Sequence, residues 1–93
     1  MEHVYRQIAE SAAYYGAQKA VLFGSRARRT NGEKSDIDLA VYGCRNFSGF
    51  FDYLQEELWS LLKVDVINMD EKFLSGDLKK EIERDGVVLY EKI

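Results

Sequence analysis

Two aspartates separated by a single residue, Asp36 and Asp38, are the side chains of this sequence whose spacing best suits chemistry. On a β-strand, side chains at positions i and i+2 share a face, with Cα atoms about 6.6 Å apart. Two carboxylates held in this way suit hard cations such as Mg²⁺ and can bracket two ions about 3.5–4 Å apart. An exposed edge strand with two solvated acids gives the same pattern, so the pair alone does not decide between these interpretations.

A second candidate feature, Gly24-Ser25, directly follows the short apolar run 20–23. Glycine permits a tight turn and a close backbone approach. Ser25 is suited to cap a following helical turn, whose free N–H groups attract anions. Arg26, Arg28 and Arg29 add positive charge there. The combination suits a triphosphate, although an ordinary strand-to-helix turn would have the same residues. A nucleotide–magnesium site needs an anion-binding turn and paired carboxylates side by side, and the sequence supplies both.

Asp65 is a candidate third carboxylate. It lies between Val64 and Val66, which face the other way on a strand and are typical of a buried position. If this strand lies beside the strand of Asp36 and Asp38, Asp65 completes a three-carboxylate site. It could then bind a second ion and help to deprotonate an attacking hydroxyl.

Apolar periodicity predicts the elements that position these residues. Short apolar runs alternate with helical stripes, which indicates an α/β (α+β) fold: a small mixed β-sheet with helices packed against it. We expect a single domain over residues 1–93. The predicted helices cover residues 3–15, residues 49–62 and a segment capped by Ser75 that stops at 85–86, and the predicted strands cover residues 20–23, 37–42, 63–68 and 87–90.

The composition narrows the class of function. The net charge of −3 lacks the basic surplus of a nucleic-acid binder, so we expect no direct nucleic-acid binding. The single cysteine, Cys44, fits a reduced thiol. No apolar run approaches the roughly 20 residues of a membrane span, and the first ten residues do not resemble a signal peptide. We therefore expect a cytoplasmic protein without a membrane association.

Together, Gly24–Arg29 and Ser35–Leu39 resemble the signature of the polymerase-beta-type nucleotidyltransferase superfamily, and most closely its minimal nucleotidyltransferase (MNT) branch. The signature covers residues 21–41. Val64–Ile67 is similar to the family's element for a third carboxylate, and Gly86–Tyr90 is similar to its closing strand. One departure is Arg29, where the family often has glycine, and this puts the local turn geometry in question.

The resemblance implies a nucleotidyltransferase that uses ATP and two Mg²⁺ ions. A hydroxyl would attack the α-phosphorus of the nucleotide, and pyrophosphate would leave. The implied catalytic and metal-binding residues are Asp36, Asp38 and Asp65, and the implied nucleotide-binding residues are Gly24, Ser25, Arg26, Arg28 and Ser35.

The resemblance also implies a biological role. Similar MNT proteins are antitoxins that pair with a HEPN-domain toxin and can silence it by transferring AMP from ATP onto a toxin tyrosine. With 93 residues and no basic groove, we expect the acceptor to come from such a partner in a hetero-oligomer, while a homodimer stays open. Two alternatives remain: an antitoxin that only binds and blocks its toxin, and a nucleotidyltransferase for a small molecule.

Overall fold

The computed structural model describes residues 1–71 and 73–93, which form four helices and four strands. No helix within these residues is long and apolar enough to cross a membrane. The elements, in chain order, are α1 Glu2–Tyr14, β1 Lys19–Phe23, α2 Gly24–Arg28, β2 Ile37–Tyr42, α3 Phe47–Glu57, β3 Val64–Asn68, α4 Gly76–Asp85 and β4 Val87–Glu91.

The four strands form one mixed sheet in the order β3-β2-β1-β4. β1 pairs antiparallel with both β2 and β4, whereas β2 pairs parallel with β3. The short α2 leads β1 into its antiparallel neighbour β2, and the longer α3 makes the crossover that a parallel partner requires. The predicted mixed sheet with packed helices is confirmed.

One side of the sheet, which we call the α1/α3 face, holds the main core. The strands alternate along their length, so that Ile37 and Leu39 of β2 point to this side and are both fully buried. Phe50 of α3 and Ile8 of α1 close over them and have no exposed surface. The remaining buried members of this cluster are Val4, Ala12, Ala17, Ala20, Leu22, Val41, Leu54 and Val64.

The opposite side, which we call the α2/α4 face, has a smaller core. Val21 and Phe23 of β1, Ala40 of β2 and Ile82 of α4 form its buried cluster. Near the starts of β2 and β3, Asp38 and Asp65 are only partly buried, so the α2/α4 face is covered only in part. The uncovered end carries the charged residues of the candidate site.

Two helix ends have well-defined caps, and the one at Ser75 was predicted. Gly16 ends α1 with φ +82°, and the N–H groups of Gly16 and Ala17 donate to Ala13 and Ala12 carbonyls, the pattern of a Schellman motif. The Ser75 hydroxyl accepts from the N–H groups of Asp77 and Leu78 and caps α4.

The predicted helix over residues 49–62 is wrong at its C-terminal end. α3 stops at Glu57, and Leu58 already has an extended backbone. The Gln7 side chain binds both sides of this break: Nε2 donates to the Glu57 carbonyl at 2.7 Å, and Oε1 accepts from Trp59 N–H at 2.7 Å. These long-range bonds replace the helical ones, so the leucine periodicity continues in sequence after the helix has ended.

Candidate active site

Three carboxylates lie at one end of the α2/α4 face. Asp38 in β2 and Asp65 in β3 are register partners on adjacent parallel strands, so their side chains project from the same face. Their backbones are therefore separated by about 4.8 Å, the usual strand spacing. Asp36 directly precedes β2, is exposed, and lies two residues before Asp38. The strand of Asp65 therefore lies beside the strand of Asp38, as the sequence analysis required for a three-carboxylate site.

Asp38 experiences the negative charge of its neighbours. Partial burial raises the pKa of its carboxyl above the ordinary value of 3.8, and the charges of Asp65, Asp36 and Glu81 raise this pKa further. The Arg28 guanidinium acts in the opposite direction and lowers it. The site therefore holds more negative charge than its own arginine compensates, which is the condition that favours a bound cation.

Gly24 lies where any side chain would collide with this carboxylate. It turns the chain from β1 into α2 with φ +73°, a conformation that residues with a Cβ rarely adopt. A Cβ at this position would overlap Oδ2 of Asp38. Glycine is therefore required twice here, for the turn and for the space that the Asp38 carboxylate occupies. The contact brings the two motifs of the sequence, the Gly-Ser turn and the paired aspartates, side by side.

Ser25 does not have the capping role that the sequence suggested. α2 begins at Gly24, so Ser25 lies inside the first turn, and the N-cap position falls to Phe23, whose side chain makes no capping hydrogen bond. The left-handed turn at Gly24 starts the helix one residue earlier than a serine cap would. Ser25 instead supplies its carbonyl, which accepts from Thr30 N–H at 2.9 Å, while its half-buried side chain lies next to Gly24.

Arg26 and Ser35 are both engaged in holding the loop between α2 and β2. The Arg26 side chain is 9% exposed; its Nε donates to the Ser35 carbonyl at 3.0 Å and its Nη2 donates to the Glu33 carbonyl at 3.2 Å. The Ser35 hydroxyl accepts from Gly32 N–H at 2.9 Å. These bonds fix the segment that delivers Asp36, and phosphate binding by the two residues stays a prediction.

Arg28 lies on the rim of the site and pairs with a residue that the sequence did not single out. Its Nη1 is 2.7 Å from Oε1 of Glu81 in α4, and the two side chains are 39% and 34% exposed. In the sequence, Glu81 belongs to an ordinary charged helix surface. Only the packing of α4 on α2 brings it to the site, so no local pattern could have identified it.

Lys63 is a second residue at the site that the sequence did not single out. Its Nζ lies 3.5 Å from Oδ1 of Asp65, and both side chains are largely exposed. The pairing comes from alternation along the chain, because residues 63 and 65 share one side of an extended segment. That spacing was a signal available in the sequence.

The backbone conformation of Arg29 is one that glycine adopts most easily, which accounts for the glycine at this position in similar sequences. It has φ +60° and ψ +31°, the left-handed conformation that ends a helix. Its N–H donates to the Arg26 carbonyl, and the following Thr30 N–H donates to the Ser25 carbonyl, again as in a Schellman motif. The arginine preserves the turn and accepts the backbone strain that a glycine would avoid.

The carboxylates fit Mg²⁺ in the chemistry of their donors. All three supply carboxyl oxygens, Asp38 and Asp65 project from one face, and partial burial together with the charges of the other two raises the pKa of Asp38. In the part of the chain that the structure describes, no three Asp, Glu, His or Cys side chains are grouped so that they could hold one ion. Asp36, Asp38 and Asp65 would therefore hold magnesium together with oxygens of the nucleotide.

Comparison with known proteins identifies the family. The family model "Polymerase beta, Nucleotidyltransferase" matches residues 6–93. This chain therefore belongs to the polymerase beta nucleotidyltransferase family, and its four-stranded mixed sheet with packed helices is the fold of that family.

Two solved structures share the fold. A toxin–antitoxin structure with AMP-PNP superposes with a TM-score of 0.73 and 22% sequence identity, over 95% of this chain and 73% of that chain. A protein from Sulfolobus solfataricus, provisionally classed as a nucleotidyltransferase, superposes with a TM-score of 0.58 and 21% identity, over 99% of this chain and 81% of that chain. No curated protein matches the sequence significantly.

Proposed function

We propose that this member of the polymerase beta nucleotidyltransferase family is an antitoxin that transfers AMP from Mg-ATP to a hydroxyl of a cognate HEPN-type toxin and so neutralises it. A toxin tyrosine is the expected acceptor, as the resemblance to MNT proteins implies. The family membership supports the transferase chemistry. The similarity to a toxin–antitoxin structure with AMP-PNP supports the nucleotide and the kind of partner.

One observation carries the catalytic part of the proposal. Gly24, directly after β1, leaves free the space that the carboxylate of Asp38 occupies and that a Cβ would fill, and Asp38 is the register partner of Asp65. A backbone turn able to approach phosphates and two carboxylates thus lie in a row across three adjacent strands. A triphosphate with its metal needs this adjacency, and an ordinary strand-to-helix turn does not produce it.

The chemistry divides among these residues as follows. The acceptor oxygen forms a bond to the α-phosphorus of ATP, the bond from that phosphorus to the bridging oxygen breaks, and pyrophosphate leaves. Bound Mg²⁺ would supply neutralisation of the phosphate charge, and Asp36 and Asp38 would hold it. Asp65 accepts the proton of the attacking hydroxyl. Gly24 lets the phosphates approach the backbone, and Arg28 adds positive charge beside them.

A second function, an antitoxin that binds and blocks its toxin without modifying it, has one observation in its favour. The ammonium of Lys63 lies 3.5 Å from Asp65 and occupies the carboxylate that would have to meet the attacking hydroxyl. Both groups are largely exposed, however, and an exposed pair of this kind contributes only about 0–1 kcal/mol. Acceptor binding can displace so weak a contact, so the enzymatic proposal is preferred.

The test uses the protein encoded by the neighbouring gene. The two proteins are incubated with ATP labelled at the α-phosphate, with and without Mg²⁺, and the mass and label of the partner are measured. We expect one or more added AMP groups on the partner with wild-type protein, and none with Asp36→Ala or Asp38→Ala. Asp52→Ala, an exposed acid on α3 and on the other face of the sheet, is the matched control and should transfer AMP normally.

Three results would decide between the functions. Protection against the toxin that survives Asp38→Ala without label would favour the binding-only antitoxin. Label on a small molecule, with the partner unmodified, would favour the remaining alternative. A neighbouring gene that encodes no toxic protein would remove the support for the antitoxin role.

A further inference from the structure

The segment Leu58–Lys63, which we call the β3 entry loop, exposes large apolar side chains beside the candidate site. Leu61 is fully exposed, with 107% of its reference surface, and Trp59 is 60% exposed. Leu58 and Leu62, in contrast, are half-buried against the main core. Folding therefore uses two of the four apolar side chains of the loop and leaves the other two in water.

The loop is held rigidly although these side chains are exposed. Gln7 accepts from the Trp59 N–H, and the Ser60 hydroxyl accepts from the Leu62 N–H at 3.1 Å. At the end of the loop the Lys63 carbonyl accepts from the Ile37 N–H at 2.9 Å. An ordered loop that presents apolar side chains loses little conformational entropy when a partner binds, which is typical of a binding surface.

The loop also borders the carboxylates. Asp65 follows Lys63 by two residues, and the bond between Lys63 and Ile37 places the end of the loop next to Asp36 and Asp38. Leu61 and Leu62 line an open cavity of about 570 Å³ whose opposite wall is Glu33 and Lys34, in the segment that leads to Asp36. A molecule bound in this cavity lies at the same edge of the sheet as the site.

The in-line geometry of the transfer reaction indicates which substrate binds beside the β3 entry loop. In phosphoryl transfer the attacking and leaving oxygens lie roughly in line on either side of the phosphorus. The Gly24–Ser25 turn, which in the proposed function would hold the leaving pyrophosphate, follows β1, and the carboxylates lie at β2 and β3. The attacking hydroxyl must then arrive from the β3 side. The β3 entry loop lies on that side.

We propose that the β3 entry loop is the docking surface for the acceptor protein, which seats an apolar side chain in the cavity lined by Leu61 and Leu62 and presents its hydroxyl to Asp65. The inference rests on the proposed function, because it assigns the second substrate of that same reaction. Lys63 is paired with Asp65, whereas Lys34 on the opposite wall has no ion-pair partner among the described residues, so the docking segment is expected to carry a carboxylate that meets Lys34.

The first test compares two fully exposed apolar residues. Leu61→Ser changes the β3 entry loop, and Phe73→Ser changes a side chain that is 97% exposed after β3, away from the carboxylates. With the neighbouring gene's protein as acceptor, Leu61→Ser should raise the KM for the acceptor and its dissociation constant by at least about tenfold, the usual effect of losing an apolar anchor. The KM for ATP and the free energy of unfolding should not change. Phe73→Ser should behave as wild type.

A second test uses Trp59, the single tryptophan of the chain. Protein labelled with 5-fluorotryptophan has one ¹⁹F resonance, which should shift on addition of the acceptor protein and should not shift with AMP-PNP and Mg²⁺ alone. A shift caused by the nucleotide would mean that the loop binds the donor and would overturn the proposal. A shift that depends on the concentration of the chain by itself would indicate a second copy and would also overturn it.

These outcomes separate the docking proposal from the proposed function. Transfer of AMP by wild type with no effect of Leu61→Ser on acceptor binding overturns the docking surface and leaves the transferase intact. Acceptor binding that is lost in Leu61→Ser, without any AMP transfer by wild type, supports the docking surface and overturns the transferase. Failure of the wild-type protein to bind the acceptor overturns both.

Discussion

The α1/α3 face of the sheet is closed by apolar side chains, whereas the α2/α4 face ends in clustered charge. On the first face, Phe50 and Ile8 are completely buried, and the buried polar side chain of Gln7 makes three hydrogen bonds. On the second, Asp38 carries a raised pKa because burial and neighbouring acids disfavour its charge. The first face stabilises the fold, whereas the second holds a carboxylate whose ionised form burial and neighbouring acids disfavour.

Backbone strain is distributed in the same way. The described residues contain one non-glycine residue with positive φ, Arg29, and it ends the helix that begins at Gly24 beside Asp38. Conformations of this kind cost about 1–3 kcal/mol and persist where the surrounding structure enforces them. The predictions below test whether stability and function are separated between the two faces.

The largest expected change in stability is on the α1/α3 face. Phe50→Ala should lower the free energy of unfolding by about 3–5 kcal/mol, because it removes a fully buried ring and leaves a cavity. Urea unfolding followed by circular dichroism measures this loss. The neighbouring Phe51 is 38% exposed, and Phe51→Ala should cost about 1 kcal/mol or less. Equal losses at the two positions would contradict the assigned core.

Gly24→Ala tests the junction of the two motifs. We expect a loss of about 1–2 kcal/mol from the positive φ, since alanine disfavours the left-handed region. The added methyl group also forces the Asp38 carboxylate aside, so nucleotide binding should fall more than stability does.

The matched control is Gly76 in α4, where a Cβ meets nothing within 4 Å. Gly76→Ala should be neutral or stabilising by about 0.5 kcal/mol, since alanine favours the helix. Calorimetry and urea unfolding measure both variants. A Gly24→Ala protein that binds AMP-PNP normally would refute the contact between Gly24 and Asp38.

Asp38→Asn should stabilise the protein, in contrast to the losses of stability expected for Phe50→Ala and Gly24→Ala. A folded-state pKa that burial and neighbouring acids raise means that the ionised carboxylate destabilises the fold at neutral pH, so its removal should stabilise metal-free protein by up to about 1 kcal/mol. This gain is complete above the raised folded-state pKa, decreases as the pH falls through that pKa, and is absent below the ordinary carboxyl value of 3.8, where Asp38 is protonated in both the folded and the unfolded state.

Urea unfolding in EDTA at several pH values measures the gain from Asp38→Asn. Asp52→Asn on α3 is the control, since Asp52 is exposed and lies outside the cluster. A loss of stability in Asp38→Asn at pH 7 would mean that the carboxylate has a structural role, and the contrast between the faces would fail.

The smallest expected effect is at Arg29. Arg29→Gly should stabilise the protein by about 0.5–1 kcal/mol, because glycine adopts the left-handed conformation without strain but loses more chain entropy on folding. Thermal unfolding measures the change. Thr30→Gly, one residue further along the chain, should not give this gain, and an equal gain there would contradict strain at Arg29.

Sequence reasoning predicted which face each residue of β2 occupies better than it predicted where α3 ends. The alternation of β2 put Ile37 and Leu39 in the core and Asp38 on the other face, because strand periodicity is a local property. The end of α3 was missed because Gln7, some fifty residues away in the chain, supplies the hydrogen bonds that stop it. Long-range bonds of this kind leave no local pattern.

The same distinction applies within the site. The positions of Asp38 and Asp65 follow from strand pairing and could be anticipated. The use of Arg26 to bind the Ser35 and Glu33 carbonyls could not, because an arginine beside a glycine-serine turn looks the same whether it meets phosphate or backbone. Glu81 likewise reaches the site only through the packing of α4.

The binding of AMP-PNP measured by titration calorimetry tests the central claim, that the carboxylates of the α2/α4 face hold a magnesium nucleotide. We predict saturable binding to the wild-type protein only when Mg²⁺ is present, an affinity at least about tenfold lower for Asp38→Asn, and an unchanged affinity for Asp52→Asn. Binding to Asp38→Asn as tight as to wild type, or no binding to wild type with Mg²⁺, would contradict the claim.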